Sequence, residues 1–222
     1  MYFSIFNISR QLLGCLFLLA CLGCNRTKTI TPNIATNTLV KLENNIALLK
    51  LITQVKTGDI ITRTGNDFTS QNLKTLNRKD KTFSHCGIAS IENDSLFVYH
   101  AIGGEYNPNQ CITKDYILNY AMPNDNNAVG VYRFALNTTQ LNALLKQAKY
   151  YFNKKIIFDM DFNLASNNKM YCTEYVFKCF YYGVPSLPYF NISQIGTKKF
   201  IGVDDILLHP LCTPINIHFY KF

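Results

Sequence analysis

Apolar positions along this 222-residue chain come in short runs separated by polar punctuation. From Val40 to Ile52, Leu42, Ile46, Leu49 and Ile52 fall at helical spacing, which predicts a helix with Thr38 as its N-cap. Thr57-Gly58-Asp59 breaks that pattern, and Ile60 to Arg63 predicts a strand. Gly65 to Lys81 is polar, with room for a short helix. His85 to Ile91 and Ser95 to Ala101 predict paired strands joined at Glu92-Asn93-Asp94. Thr113 to Tyr120 predicts a short capped helix and Val129 to Phe134 a strand. A helix capped by Thr138 or Thr139 runs to Phe152, with Leu141, Leu144, Leu145 and Ala148 on one face. Cys172 to Tyr182 predicts a helix buried on one side and ended by Gly183. Asp204-Asp205 starts a short helix closed by Pro210. Ile215, Ile217 and Phe219 alternate as a last strand. No internal repeat is present. The pattern predicts one α+β domain over 38–222, an antiparallel sheet packed against helices.

The start of the chain follows other rules. Gln11 to Ala20 (QLLGCLFLLA) is apolar, follows Arg10 and ends in small residues. That is the pattern of a secretory signal, too short to span a bilayer, which makes 1–20 a signal peptide. Leu18-Leu19-Ala20-Cys21 resembles a bacterial lipobox, with Cys21 as the lipidated residue and Cys24 as its rival; an ordinary cleaved signal is the alternative. Residues 21–37 are rich in Thr and Asn and predict a lipoprotein tether. The expected address is the bacterial cell envelope, with a membrane partner engaged through the lipid anchor.

Composition narrows the classes. With 48% hydrophobic, 14% aromatic and 16% charged residues, disordered and collagen-like chains are excluded. The net charge is +8, from 22 Lys+Arg against 14 Asp+Glu. The cations are scattered, and the densest runs, Asn77 to Lys81 and Lys198-Lys199, lack interleaved aromatics. No nucleic-acid partner is therefore expected. The eight cysteines show neither zinc spacing nor a disulfide framework, so at least one thiol should stay free.

Three segments carry candidate chemistry. Gly58-Asp59-Ile60-Ile61 is a turn that starts a strand. Ser84-His85-Cys86-Gly87-Ile88 is followed one strand later by Val98-Tyr99-His100-Ala101. Tyr171-Cys172-Thr173-Glu174-Tyr175 opens a helix. A thiol nucleophile needs an electropositive setting, which a helix N-terminus supplies, together with backbone N–H groups for an oxyanion. It also needs an imidazole base and a third polar group to orient that base. A hairpin centred near Asn93 brings His85 opposite residues near 100, so His100 reaches His85 while Cys86 points into the core. Tyr171 and Tyr175 flank the thiol as candidate groove residues, with Thr173 and Glu174 beside them. Asp159 and Asp161 either bind a cationic substrate group or cap the loop before the helix.

These residues resemble the NlpC-type papain-like peptidases. The resemblance rests on Gly58-Asp59-Ile60-Ile61, Ser84-His85-x-Gly87-Ile88 and Val98-x-His100-Ala101. Cys172 follows His85 here, whereas the usual order is the reverse. That order, with Phe158-Asp159-x-Asp161-Phe162 ahead of Tyr171-Cys172-Thr173-Glu174, is similar to the permuted papain-like amidases of the YiiX/YaeF type, relatives of lecithin retinol acyltransferase. The resemblance implies Cys172 as nucleophile, His85 as base and His100 as orienting residue, with Tyr171, Tyr175, Thr173, Glu174 and Asp59 toward substrate. It implies a cysteine amidase or peptidase acting on cell-wall peptide or N-acyl amino-acid linkages. A lipid acyltransferase or thioesterase and an inactive ligand-binding lipoprotein remain alternatives. His85, His100 and Cys172 are also zinc-type donors, but no metal-site spacing accompanies them; neither metal nor cofactor is expected.

Overall fold

The computed structural model describes residues 32–222 apart from 104–106, 108 and 188. The expected signal peptide, most of the tether and Cys21 lie outside the described residues. Six strands form one antiparallel sheet: β1 (Ile60–Gly65), β2 (His85–Glu92), β3 (Ser95–His100), β4 (Thr113–Tyr116), β5 (Asn126–Phe134) and a C-terminal strand, Cys212–Phe219. Ser193–Ile195 and Lys198–Phe200 pair as a separate hairpin, β6 and β7, which makes the C-terminal strand β8. The order across the main sheet is β4-β3-β2-β1-β5-β8. The helices are α1 (Pro32–Ile52), α2 (Phe68–Leu73), α3 (Ile117–Tyr120), α4 (Thr138–Asn153), α5 (Cys172–Gly183) and α6 (Val203–Leu207).

Side chains alternate across a strand, and both faces of this sheet are covered. Ile60, Cys86 and Ile88 face Leu144 of α4 and Val176, Cys179 and Phe180 of α5. Ile61, Ala89, Val98, Val129 and Val131 face Leu48 and Leu51 of α1. The β2–β3 turn is the expected one: Asn93 and Asp94 have φ of 49° and 60°, which these two residue types tolerate.

Three expectations need correction. Helix α1 begins at Pro32, ahead of Thr38 and inside the expected tether. From residue 36 on, its buried residues are Asn44, Leu48 and Leu51, whereas Leu42, Ile46 and Leu49 are each more than half exposed. The reason is apolar residues on more than one face of α1, so spacing alone does not select the buried one. A polar contact joins the packing: the Asn44 side chain donates to the Lys221 carbonyl (2.8 Å) and accepts from the Lys221 N–H (3.0 Å). Second, Thr113 to Tyr120 is not one helix: strand β4 comes first and pairs with β3, and α3 follows. Third, Asn137 caps α4, in a capping box with Gln140, so Thr138 is the first residue inside the helix.

Candidate active site

Strand register assembles the site. Arg63 of β1 pairs with His85 of β2. The β2–β3 pairing, Ile88 with Tyr99 and Ala89 with Val98, sets Gly87 across from His100. A Cβ on Gly87 would lie 2.6 Å from Val98 Cγ1 and 2.9 Å from His100 Cβ, so only glycine fits. Over that gap His85 Nε2 meets His100 Nδ1 at 2.8 Å. His100 Nε2 lies 2.9 Å from Asp115 Oδ2 on β4.

This chain of contacts defines the protons. The Asp115 carboxylate only accepts, so His100 carries its proton on Nε2 and accepts at Nδ1. His85 then donates from Nε2 and keeps the lone pair on Nδ1. Burial, then the Arg63 cation, then His100 hold His85 well below its ordinary 6.5. Burial also lowers His100, against the pull of Asp115. The hydrogen bond from His100 is the main cause lowering Asp115.

Tyr120 backs the pair. Its ring centroid is 5.7 Å from that of His85 and 4.9 Å from that of His100, and its hydroxyl donates to the Ile61 carbonyl. The Arg63 guanidinium sits 4.9 Å over the same ring.

Cys172 is the first residue of α5, which packs on β2. Burial pushes its thiol up to about 11, opposed by the main-chain N–H groups of Cys86, Thr173 and Cys172 itself and by the Arg63 cation. The thiol therefore rests neutral, amid donors that favour the thiolate. Cys172 lines an open cleft together with Ser84, Tyr171 and Thr173. The Cys86 side chain faces the core as expected. The five described cysteines, Cys86, Cys111, Cys172, Cys179 and Cys212, are all free.

The structure brings His85 and His100 into contact and sets Cys172, Tyr171 and Thr173 along one cleft, with the Cys172 thiol on the N–H of Cys86, the residue after His85; the other expected residues are held by other partners. Tyr175 is fully buried, with its hydroxyl on the Ala148 carbonyl. Glu174 is buried as well: it accepts from the Tyr171 N–H and pairs with Lys178 at 2.8 Å. Burial raises its carboxyl to about 7. Lys178 in turn holds the Ser166 carbonyl and Asn167 Oδ1. The pair thus ties the 166–169 loop to the start of α5. Asp59 sits at the far end of β1 from Arg63, chelated by Arg133 at 2.7 Å and by the Lys56 N–H. A glutamate or aspartate beside such motifs looks available in sequence, but burial assigns both to internal ion pairs. Asp159 accepts from the Asp161 and Asn163 N–H groups, so it shapes its own loop.

Sequence reasoning missed Asp115, Tyr120 and Arg63. Asp115 was hidden by the helix expected over Thr113–Tyr120. The signal was there in the polar alternation of Thr113 and Asp115 on a short edge strand.

The fold can be set beside known proteins. A solved structure described as the metalloprotein yiiX from Escherichia coli O157:H7 superposes with a TM-score of 0.62 at 17% identity, covering 75% of this chain and 99% of that one. In this chain His100 uses both ring nitrogens on His85 and Asp115, and among the described residues no group of three or more His, Cys, Asp or Glu is placed to hold a metal ion. No curated protein matches. The family described as permuted papain-like amidase enzyme, YaeF/YiiX, C92 family, matches residues 54–199, which include His85, His100, Asp115 and Cys172. The chain belongs to this family of permuted papain-like amidases.

Proposed function

We propose that this protein is a thiol hydrolase that cleaves amide bonds of cell-wall peptides or N-acyl amino acids, anchored in the cell envelope through Cys21. The observation that carries the reading is the hydrogen-bonded line from Asp115 through His100 to His85, beside a cysteine at a helix N-terminus. The anchor rests on the apolar Gln11 to Ala20 segment and the lipobox-like Leu18 to Cys21.

His85 Nδ1 takes the Cys172 proton as sulfur adds to the carbonyl carbon. The oxyanion is held by the Cys172 N–H at the positive end of α5. His85 returns the proton to the leaving nitrogen, which departs as amine. Water, deprotonated by His85, then cleaves the thioester to release acid and restore the thiol. His100 and Asp115 orient His85 and spread the imidazolium charge.

The test is iodoacetamide labelling across pH 5–9, mapped by peptide mass. Cys172 should react faster than Cys86 and Cys179, and His85→Ala should slow it. Equal labelling of the three would defeat the enzyme reading and favour a ligand-binding lipoprotein.

A further inference from the structure

Helix α1 carries a second apolar stripe, turned away from the fold. Leu39, Leu42, Ile46 and Leu49 are each more than half exposed. At 3.6 residues per turn they share an arc of roughly 80°, on the side of the helix opposite Leu48 and Leu51, which cover the sheet. A contiguous line of this kind marks an interaction surface, unlike single apolar residues scattered over a protein. Its surroundings are cationic. Lys41 and Lys50 of α1 are exposed. Glu43, the one acid of the helix, is paired with Lys221 Nζ at 2.9 Å. Phe222, next to Lys221, adds a further exposed apolar group. Ahead of the helix, Arg26 and Lys28 contribute two more positive charges.

Three occupants can be compared. The apolar Gln11 to Ala20 segment leaves with the signal peptide. A second copy gains too little: four half-exposed aliphatic side chains offer roughly 200 Å², against about 800 Å² per partner in a stable dimer. A bilayer suits both the position and the charge of the stripe. Pro32 stands 11 positions after Cys21, a separation of at most about 40 Å even when fully extended. An acylated Cys21 therefore holds α1 within reach of the lipid surface, where a short tether makes a weak second contact effective. Apolar area and attraction to anionic lipid then add.

We propose that α1 is a membrane-docking helix, with Leu39, Leu42, Ile46 and Leu49 in the headgroup–acyl boundary of an anionic bilayer and Lys41 and Lys50 toward its phosphates. The proposal rests on the Cys21 anchor and is independent of the hydrolase chemistry. Helices α1 and α5 cover opposite faces of the sheet, so docking through α1 turns the α5 face of the domain away from lipid.

The chain has no tryptophan, so one introduced indole reports on its own surroundings. The protein as the cell makes it, carrying Ile46→Trp, is bound to phosphatidylcholine–phosphatidylglycerol vesicles with brominated acyl chains. Its emission should shift to the blue and be quenched about twofold or more, whereas Tyr189→Trp, at a site 95% exposed, should stay unquenched. Adding Leu42→Glu and Leu49→Glu to the Ile46→Trp protein should abolish the quenching while the protein stays on the vesicles through Cys21. Vesicle-bound protein with an unquenched Ile46→Trp indole overturns the docking helix and leaves the anchor standing. Release of the protein by the two glutamates removes the anchor and leaves the stripe as the membrane contact. Equal quenching of the Ile46→Trp and Tyr189→Trp proteins overturns the assigned face. A blue shift without vesicles that grows with protein concentration overturns the lipid occupant in favour of a second copy.

Discussion

His85 Nε2 and His100 Nδ1 are 2.8 Å apart across two strands whose facing position is a glycine. The contact makes the two rings one proton-ordering unit, ended by Asp115. His100→Ala should lower kcat/KM by about 100-fold, the scale of a misdirected general base. His100→Asn keeps an acceptor oxygen there and should retain more activity. Equal losses in the two variants would show that the tautomer of His85 is set by something other than His100.

Asp115→Asn tests the outer end. The amide can present its NH₂ to His100 Nε2, which would move the ring proton to Nδ1 and set it against His85 Nε2–H. The expected loss is roughly tenfold or more in kcat with little change in KM, since substrate contacts are untouched.

The pH profile follows from burial. Burial, the Arg63 cation and His100 all disfavour the His85 imidazolium, so the neutral base persists below 6.5. The acid limb of kcat/KM should therefore fall below pH 6.5, with activity lost as pH drops through it. In His85→Ala the remaining Cys172 alkylation should climb with pH toward about 11, where the buried thiol ionises. An acid limb above 6.5 would contradict a desolvated base.

Gly87→Ala places a methyl 2.6 Å from Val98 Cγ1 and 2.7 Å from the Tyr99 carbonyl oxygen. Both neighbours sit in the sheet, so β2 and β3 must part. A stability loss of about 1–3 kcal/mol is expected by chemical denaturation, along with a disproportionate loss of activity as the histidine contact lengthens.

Glu174→Ala leaves Lys178 buried beside two neutral acceptors. A loss of about 3–5 kcal/mol in unfolding free energy is expected, whereas Glu174→Leu with Lys178→Met should recover much of it. A small effect in the single variant would mean that the loop before α5 holds without the ion pair.

Much of the fold was legible because its strands are bounded by turn residues and the two helices α4 and α5 carry regular apolar spacing, even though the cap of α4 falls one residue earlier than expected. Asn93-Asp94, Gly183 and the 3.6-residue spacing of α4 and α5 are local signals. What was not legible depended on partners distant in sequence. Which face of α1 is buried is settled by partners far along the chain, among them Lys221 just past β8, which holds Asn44. Whether Asp59 and Glu174 meet substrate is settled by Arg133 and Lys178. The His85–His100 pair could be read from hairpin register, whereas Asp115 required knowing that β4 adds to that hairpin.

The clasp between Asn44 and the Lys221 main chain also gives mechanical load one entry point into the domain. Tension on α1 passes through Asn44 to Lys221, just beyond β8 at one edge of the sheet, and through Leu48 and Leu51 to the sheet face, whereas Asp115 sits on β4 at the opposite edge. Strands β1 and β5 stand between β8 and the strands that carry the histidines. A tug on α1 is thus shared between one margin of the sheet and the face that Leu48 and Leu51 cover, and Asp115 stands at the margin farthest from the clasp.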